Sequence, residues 1–280
     1  MILLGYRDRN VHELLCHEVA RRAGYYDLFG VEVRAVPASD HPEASLSAGL
    51  GGSLVESIQG QRRWRVALVH TVHPLFWIWE REAHPALTRP TILAGHPEGS
   101  IVLAFTKRLL TGYGSGGTAP SVLHFPAGGD GDIDRLEALR SGAVDAAVLG
   151  SNFAPSTLSR LGLTESLFFG DALRFPTAGV AVDLDMTSVD DPSVQAVVAA
   201  QQAAMLKVRS RDPLALEAVE SLLHRSDGHD ALRFLEDYLA PQYGPDLPDV
   251  RAAGAEALAW LTEELHPVEP VAADFYEGVR

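Results

Sequence analysis

The chain has 280 residues, of which 46% are hydrophobic and 21% charged, a composition typical of a globular protein with one large domain or two smaller ones. Its formal net charge of -14 argues against a nucleic-acid partner, because an acidic surface repels a phosphate backbone. The single cysteine, Cys16, excludes an internal disulfide, and no apolar stretch approaches the roughly 20 residues that cross a bilayer, so direct membrane insertion is not expected.

The start of the chain lacks the pattern of a signal peptide. Residues 1–5 are apolar, but they run directly into the polar segment 6–10 with no longer apolar region between. As the chain stands, this predicts a cytoplasmic protein. A periplasmic or extracellular location is expected if a leader has been removed.

Strands alternate with helices from the start of the chain to about residue 182. The residue patterns predict strands at 2–5, 31–36, 66–69, 91–94, 121–125, 146–149 and 177–182. They predict helices at 11–23, from the Gly/Ser-rich stretch 47–53 to residue 59, at 99–110 and 133–139, and then at 192–209, 213–224, 229–239 and 249–265. This order predicts parallel sheets covered by helices, followed by a helical C-terminal segment.

Four segments, in order, resemble the solute-binding proteins of ABC importers for nitrate, sulfonate, taurine and thiamine precursors. They are HEVARRAGYYDLFGVEVRAVP (17–37), RPTILAGHPEGSIVLAF (89–105), DIDRLEALRSGAVDAAVLGSNFAPSTLSRLGL (132–163) and FPTAGVAV (175–182). The resemblance covers residues 1–185 well, and the remainder of the chain is similar only in being helical. It implies the two-lobed periplasmic-binding-protein type II fold, with a mostly parallel sheet flanked by helices in each lobe.

The same resemblance implies where the lobes and the ligand lie. Lobe one is expected to comprise residues 1–88 and 180–280, and lobe two residues 89–179, with a ligand cleft between them. Closure of this cleft is expected to be a hinge motion near residues 88–91 and 176–180. Open α/β sheets bind ligands at the carboxyl ends of their strands, so residues just beyond the predicted strands are the candidates for the site.

Applied strand by strand, this rule gives a set of candidate cleft residues. Asp8 also follows the first strand, Glu98 follows the strand at 91–94, and Arg174 precedes the strand at 177–182. The predicted ligand-binding residues are Arg7, Arg9, Asn10, His12, His70, Thr71, His73, His96, Gly99, Ser100, Ser151, Asn152 and Thr177.

Several of these candidates have a structural alternative. The free N–H groups of a helix that starts at Gly99 and Ser100 favour an anion, but Ser100 can equally act as the N-cap of that helix. Arg7 and Arg9 can grip an anion bidentately or form surface ion pairs. The aromatic run 76–79 can provide a stacking wall or pack in the core, there as a short helix.

The histidines are the unusual feature of this set. His12, His70, His73 and His96 follow different strands, yet the fold would bring them to one cleft. Histidine serves there as a hydrogen-bonding group, as a general acid or base, or as a metal ligand. Each alone is more often a structural hydrogen-bonding residue. A metal remains open, although the spacing matches no metal motif, and no cofactor is predicted.

Two functions follow from these expectations. The first is a solute-binding protein that closes on a small anionic or aromatic organic molecule and delivers it to a membrane permease. The second is a cytosolic decarboxylase, lyase or pyrimidine-forming enzyme on the same fold, in which His70 or His73 transfers the proton. A soluble ligand sensor is a third possibility that the residues do not separate from the first.

Overall fold

The computed structural model describes residues 1–81, 91–113, 120–126, 129–224, 226–265 and 274–279. The strands within these ranges are β1 (Ile2–Tyr6), β2 (Val33–Pro37), β3 (Leu46–Gly49), β4 (Trp64–Thr71), β5 (Phe76–Glu80), β6 (Ile92–Gly95), β7 (Ser121–His124), β8 (Ala146–Gly150), β9 (Thr164–Phe168) and β10 (Ala178–Asp183).

The helices lie between and after these strands. They are α1 (Val11–Arg22), α2 (Tyr25–Leu28), α3 (Leu50–Ile58), α4 (Ile101–Tyr113), α5 (Gly129–Ser141), α6 (Pro155–Arg160), α7 (Phe169–Ala172), α8 (Pro192–Arg209), α9 (Pro213–Leu222), α10 (Gly228–Phe234), a π-helical segment (Leu235–Leu239) and α11 (Leu247–Leu265). Asparagine or aspartate caps several of their N-termini. Asn10, for example, accepts a hydrogen bond from the Glu13 N–H at the start of α1.

The strands form two five-stranded sheets, in the orders β2-β1-β3-β10-β4 and β7-β6-β8-β5-β9. In the first sheet β1 pairs in parallel with β2 and β3, and in the second β6 pairs in parallel with β7 and β8. Strand β10 runs antiparallel to β3 and β4, and β5 runs antiparallel to β8 and β9. The predicted class of two helix-flanked sheets is confirmed, and both sheets are mixed rather than mostly parallel.

The chain crosses between the sheets twice. It leaves the first sheet after Thr71 and enters the second at Phe76, then returns between Phe168 and Ala178. The lobe boundary predicted at residues 88–89 lies outside the described residues. Strand β5, which the prediction assigned to lobe one, is paired within the second sheet because it hydrogen-bonds to β8 and β9.

Three strands were not predicted, and each has a physical reason. Strand β5 has the continuous apolar run Phe76–Trp79, which periodicity cannot distinguish from a buried helix. Strand β3 is a short Leu-Ser-Ala-Gly segment that pairs with β1 and β10 on its two sides. Strand β9 is an edge strand with an exposed start, so it lacks a clear apolar pattern.

Among the described residues, none of the helices combines the length and the apolar character needed to cross a membrane.

Candidate functional site

Three of the predicted site residues meet where the two sheets face each other. The His12 backbone N–H donates to Ser151 Oγ at 2.8 Å, and His12 Nε2 lies 2.5 Å from Thr177 Oγ1. His12 is in the first turn of α1, Ser151 follows β8, and Thr177 precedes β10, so three separate elements position them. All three are buried. The strand-end rule therefore selected three residues that contact one another.

A second polar cluster lies beside this point and joins the same two sheets. Asn152 Nδ2 donates to Asp8 Oδ2 at 3.2 Å and to Asp132 Oδ2 at 3.0 Å. Asp132 also pairs with Arg135, at 2.5 Å between Oδ1 and Nη2, and both of these side chains are only 1% exposed. The Gly150 N–H donates to Asp132 Oδ2, the oxygen that also accepts from Asn152. Asp8 belongs to the loop after β1, so Asn152 connects that loop to α5 of the second sheet.

Phe76 is the member of the aromatic run that reaches this region. Its ring contacts His12 edge-on, with centroids 6.0 Å apart, and His96 at 5.7 Å and nearly perpendicular. The indole rings of Trp77 and Trp79 are instead buried in the core, each 1% exposed. The run forms a strand rather than the short helix that was considered. Because alternate side chains of a strand face opposite sides, Phe76 faces the cleft while Trp77 and Trp79 face the core.

The N-termini of two helices meet at the edge of the cleft. A Cβ added at Gly51 of α3 would lie 3.1 Å from Ile101 Cγ2 at the start of α4. Arg7 lies over the same turn of α3 and pairs with Glu56, at 2.6 Å between Nη2 and Oε1, with 37% of its side chain exposed. Among the residues that the structure describes, no side chain caps α3. Two positive helix ends therefore approach one guanidinium, an arrangement that favours an anion. The guanidinium is itself paired with Glu56, and the Glu13 carboxylate lies beside Gly49 at the start of α3.

Ser100 takes the capping role that the sequence left open. Its Oγ accepts from the Leu103 N–H at 3.2 Å, and its carbonyl accepts from Ala104 N. Gly99, with φ +76°, makes the turn that precedes the cap, a conformation that glycine adopts without strain. The N–H groups of Ile101 and Val102 lie in the first turn beyond this cap, where a helix has no internal acceptors.

The other predicted residues have their described contacts elsewhere. Arg9 is exposed and donates to the Ser221 carbonyl at 3.4 Å, on the side of α9. His73 is held by the Gly170 carbonyl and by Arg174. Thr71 accepts from the His73 N–H, and Asn10 caps α1.

His70 lies close enough to His12 to influence its pKa. Its ring is stacked with Tyr243, with centroids 6.4 Å apart, and is 1% exposed. The Tyr243 hydroxyl donates to the His12 carbonyl at 3.4 Å, which ties this layer to the cleft. His70 therefore supports His12 from the side of the C-terminal helices.

Burial keeps the cleft histidines neutral. Desolvation lowers the pKa of His12 to about 3, with a smaller contribution from His70, and lowers the pKa of His70 to about 4. Desolvation also lowers the pKa of His96 well below its usual value. Near neutral pH these rings act as hydrogen-bonding groups without charge.

Two buried carboxyl groups beside the cleft show the opposite shift. Burial, reinforced by the nearby charge of Asp132, raises the pKa of Asp8 to about 6. Burial raises the pKa of Glu13 to about 7, although the Arg7 N–H donates to it at 2.8 Å. A hydrogen bond donated by a ligand or by another residue would stabilise the ionised form of either carboxyl group.

Several buried polar atoms of this region have no hydrogen-bond partner among the described residues. They are Asp8 Oδ1, His12 Nδ1, both ring nitrogens of His70, His96 Nε2 and Asn152 Oδ1. Buried polar atoms are rarely left without a partner in proteins. Their concentration on residues from both sheets marks the interlobe cleft as the candidate binding site.

No protein-family model and no curated protein matches this chain. Solved structures match over nearly the whole length. The alkanesulfonate-binding protein SsuA from Xanthomonas axonopodis pv. citri, bound to MOPS, superposes with a TM-score of 0.74 at 16% identity, covering 100% of this chain and 97% of that one. The ligand-binding component of an ABC-type import system from Staphylococcus aureus, with zinc bound, gives a TM-score of 0.74 at 12% identity, covering 98% and 95%.

This chain has the periplasmic-binding-protein fold. The desulfurization enzyme DSZB shares that fold, with a TM-score of 0.70 at 16% identity, covering 98% of this chain and 95% of that one. Both binding proteins and an enzyme are thus among the structures with this architecture. The identities show the fold alone, and the chemistry must come from the residues of this chain.

Within the described ranges, no group of three or more His, Cys, Asp or Glu side chains is placed to hold a metal ion. A cavity of about 210 Å³ lies away from the cleft, between α6, β9 and the π-helical segment, with Glu165, Arg233 and Tyr238 in its lining.

The strand-end rule did not select Asp132, which accepts a hydrogen bond from the candidate Asn152, or Arg135, which pairs with Asp132. Asp132 and Arg135 lie three residues apart on α5, on the turn of the helix that faces β8. Their spacing is a usable signal, since residues at i and i+3 are neighbours on a helix. Nothing in the local sequence indicates that Glu13 is buried, because its carboxylate is enclosed by the Arg7 backbone and by Gly49 from other elements.

Proposed function

We propose that this chain binds a small organic anion in the cleft between its two sheets, as the solute-binding component of an ABC-type importer that delivers the molecule to a membrane permease. The observation that carries the proposal is the meeting of the α3 and α4 N-termini beside Arg7. Helix N-termini present free N–H groups and a partial positive charge to a bound anion.

The walls around this point support a small ligand with an apolar part. Phe76 provides an aromatic face between His12 and His96. The neutral rings of those histidines offer one N–H donor or acceptor each without adding charge. The remaining candidates of the cleft, Ser151 and Thr177, are engaged with His12 and fix its orientation.

The histidine pKa values favour binding over catalysis. A general base works best when its pKa lies near the working pH, and the pKa values of about 3 for His12 and about 4 for His70 are far below neutrality. His73, the other candidate base, is occupied by Arg174 and the Gly170 carbonyl. The fold shared with DSZB keeps the enzyme as a second candidate.

Ethanesulfonate is a suitable probe of the anion site. By calorimetric titration we expect Arg7→Gln to weaken its binding about tenfold or more, because a charge-assisted contact is lost. Arg63→Gln is the matched control, since its side chain is 64% exposed and pairs with the exposed Asp185. Unchanged affinity in Arg7→Gln, or no binding of ethanesulfonate, nitrate, sulfate or acetate to the wild-type chain, would contradict the proposal.

The chemical fate of the bound molecule distinguishes an enzyme from a binding protein. We expect the NMR spectrum of ethanesulfonate incubated with stoichiometric protein to remain unchanged over a day. Conversion that is lost in His70→Phe or His73→Gln, with affinity retained, would favour the enzyme.

A further inference from the structure

A carboxylate of the protein itself lies at the N-terminal end of α3. Gly49 is the N-cap residue of α3, and a Cβ added there would lie 3.1 Å from both carboxylate oxygens of Glu13. The same carboxylate accepts a hydrogen bond from the Arg7 N–H at 2.8 Å. Glu13 therefore approaches both features, the start of α3 and Arg7, to which the proposed function assigns the bound anion.

This carboxyl group is enclosed, so its charge acts on the site at short range. Glu13 is only 9% exposed and belongs to the first turn of α1. Charges that are buried together are screened much less by water and salt than charges on the surface, so like charges there repel each other more strongly. An ionised Glu13 and a bound anion therefore compete for the same helix end.

The charged groups that act on Glu13 come from the loop after β1. Burial raises the pKa of Glu13 to about 7, the charge of Asp8 raises it further, and the Arg7 N–H and guanidinium oppose the shift. On α3, Gly49 carries no titratable group, and Glu56 is paired with Arg7 at 2.6 Å. Glu13 therefore gains and loses its proton near neutral pH.

We propose that Glu13 controls the anion site by exchanging a proton, so that the chain takes up a proton together with the anion that it binds. In its ionised form Glu13 repels the anion from the N-terminal end of α3. In its neutral form it leaves this helix end and the charge of Arg7 to the anion. This inference rests on the proposed function, which places the anion there.

The proton exchange makes affinity depend on pH. An anion bound beside Glu13 favours the neutral form, which raises the pKa of Glu13 in the complex above its value of about 7 in the free protein. Binding is therefore strongest below pH 7 and weakens as the pH rises through this value. Ethanesulfonate stays ionised near neutral pH, so its own ionisation does not contribute.

Calorimetric titration of the wild-type chain with ethanesulfonate tests this coupling. We expect the affinity at pH 8 to be about fivefold to tenfold lower than at pH 6, the change that one group with a pKa of about 7 produces. At pH 7.5, titrations in buffers of different ionisation enthalpy should show uptake of about half to three quarters of a proton per anion. A purely structural Glu13 would take up no proton.

The variant Glu13→Gln keeps the shape of the side chain and stays neutral. At pH 8 it should bind ethanesulfonate about fivefold to tenfold more tightly than the wild type, at pH 6 about equally, and it should lose the proton uptake. The matched control is Glu217→Gln on α9, whose side chain is 54% exposed, and it should behave as the wild type. Proton uptake that survives in Glu13→Gln but is lost in Asp8→Asn would assign the effect to Asp8 and overturn the inference.

The outcomes separate this inference from the proposed function. Ethanesulfonate binding that is weakened by Arg7→Gln, but is equal at pH 6 and 8 and takes up no proton, would overturn the role of Glu13 and leave the anion site standing. If ethanesulfonate does not bind, nitrate, sulfate or acetate, which also stay ionised in this range, replaces it in the same titrations. If none of the four binds at either pH, both proposals fail.

Discussion

At the residue scale, the buried ion pair of Asp132 and Arg135 organises the second-sheet side of the cleft. Asp132 accepts from Arg135, from the Gly150 N–H and from Asn152 Nδ2, so both of its oxygens are used. Both charged side chains are 1% exposed. Such a pair does little for net stability, but removing one partner leaves a buried charge uncompensated.

This gives a stability prediction. Asp132→Ala should lower the free energy of unfolding by about 3–5 kcal/mol, because Arg135 loses its counter-charge in a buried site. In the double variant Asp132→Ala/Arg135→Met most of that loss should be recovered. Urea denaturation monitored by tryptophan fluorescence measures both, and a double variant no more stable than the single one would refute the explanation.

Four buried histidines make the folded state sensitive to acid. Burial places the pKa of His12 at about 3, those of His17 and His70 at about 4, and that of His96 well below the usual 6.5. The unfolded chain therefore binds protons below about pH 6.5 that the folded chain does not. Asp8 and Glu13 oppose this, since their raised pKa values of about 6 and 7 make the folded chain bind protons first.

Four histidines against two carboxyl groups leave a net of about two protons taken up on unfolding between pH 5 and 6. At about 1.4 kcal/mol per proton and pH unit, the free energy of unfolding should fall by roughly 3 kcal/mol per unit as the pH decreases through this window. His70→Phe, which keeps the stacking on Tyr243, should reduce that slope by about one proton. Urea midpoints measured at pH 5, 6 and 7 would show it, and an unchanged slope would exclude His70 as a contributor.

At the element scale, the two crossing strands decide how the sheets are built. Strand β10 lies between β3 and β4, and β5 between β8 and β9, each antiparallel to both of its neighbours. All residues of β10 are buried. The strand also brings Thr177 to His12, so its exact placement positions a cleft residue.

Gly179 is the position in β10 where this packing is tightest. A Cβ added there would lie 2.0 Å from the Leu68 carbonyl oxygen, a backbone atom of the neighbouring strand that cannot move away freely. Gly179→Ala should therefore destabilise the fold by about 3 kcal/mol or prevent soluble expression. The matched control is Gly5→Ala in β1, where the nearest atoms would lie at 3.4 Å and the loss should stay small. Thermal unfolding of both variants provides the comparison.

At the scale of the whole molecule, the proposed site depends on contacts between elements of the two sheets. Asp8 meets Asn152, His12 meets Ser151, and Gly51 of α3 approaches Ile101 of α4. Each pair joins residues that are far apart in the sequence and lie on segments that follow strands of different sheets. These contacts form only where the two sheets face each other, so we expect ligand affinity to depend on closure.

A wedge at the helix contact tests this coupling. Gly51→Phe should keep α3 and α4 apart, because even a Cβ at this position comes within 3.1 Å of Ile101. We expect a larger radius of gyration by small-angle X-ray scattering and at least tenfold weaker binding of ethanesulfonate, with an unchanged circular dichroism spectrum. Wild-type affinity in a visibly more open variant would contradict the placement of the ligand between the sheets.

The sequence alone determined the alternation of strands and helices and hence the class of helix-covered sheets, because apolar periodicity acts locally. The division into two sheets was implied by the family resemblance. The buried runs of β4 and β8 are readable without a structure. The strand-end rule also selected His12, Ser151 and Thr177, which do converge.

Only the tertiary structure decided how those candidates are used. In the structure His70 stacks on Tyr243 and Ser100 caps its helix. Asp8 hydrogen-bonds to Asn152, 144 positions away in the chain. The tertiary structure also encloses Glu13 and the pair of Asp132 and Arg135, which local sequence presents as ordinary surface charges. The physical reason is that burial and hydrogen-bond partners depend on which distant elements pack together. The residues adjacent in sequence do not determine which elements those are.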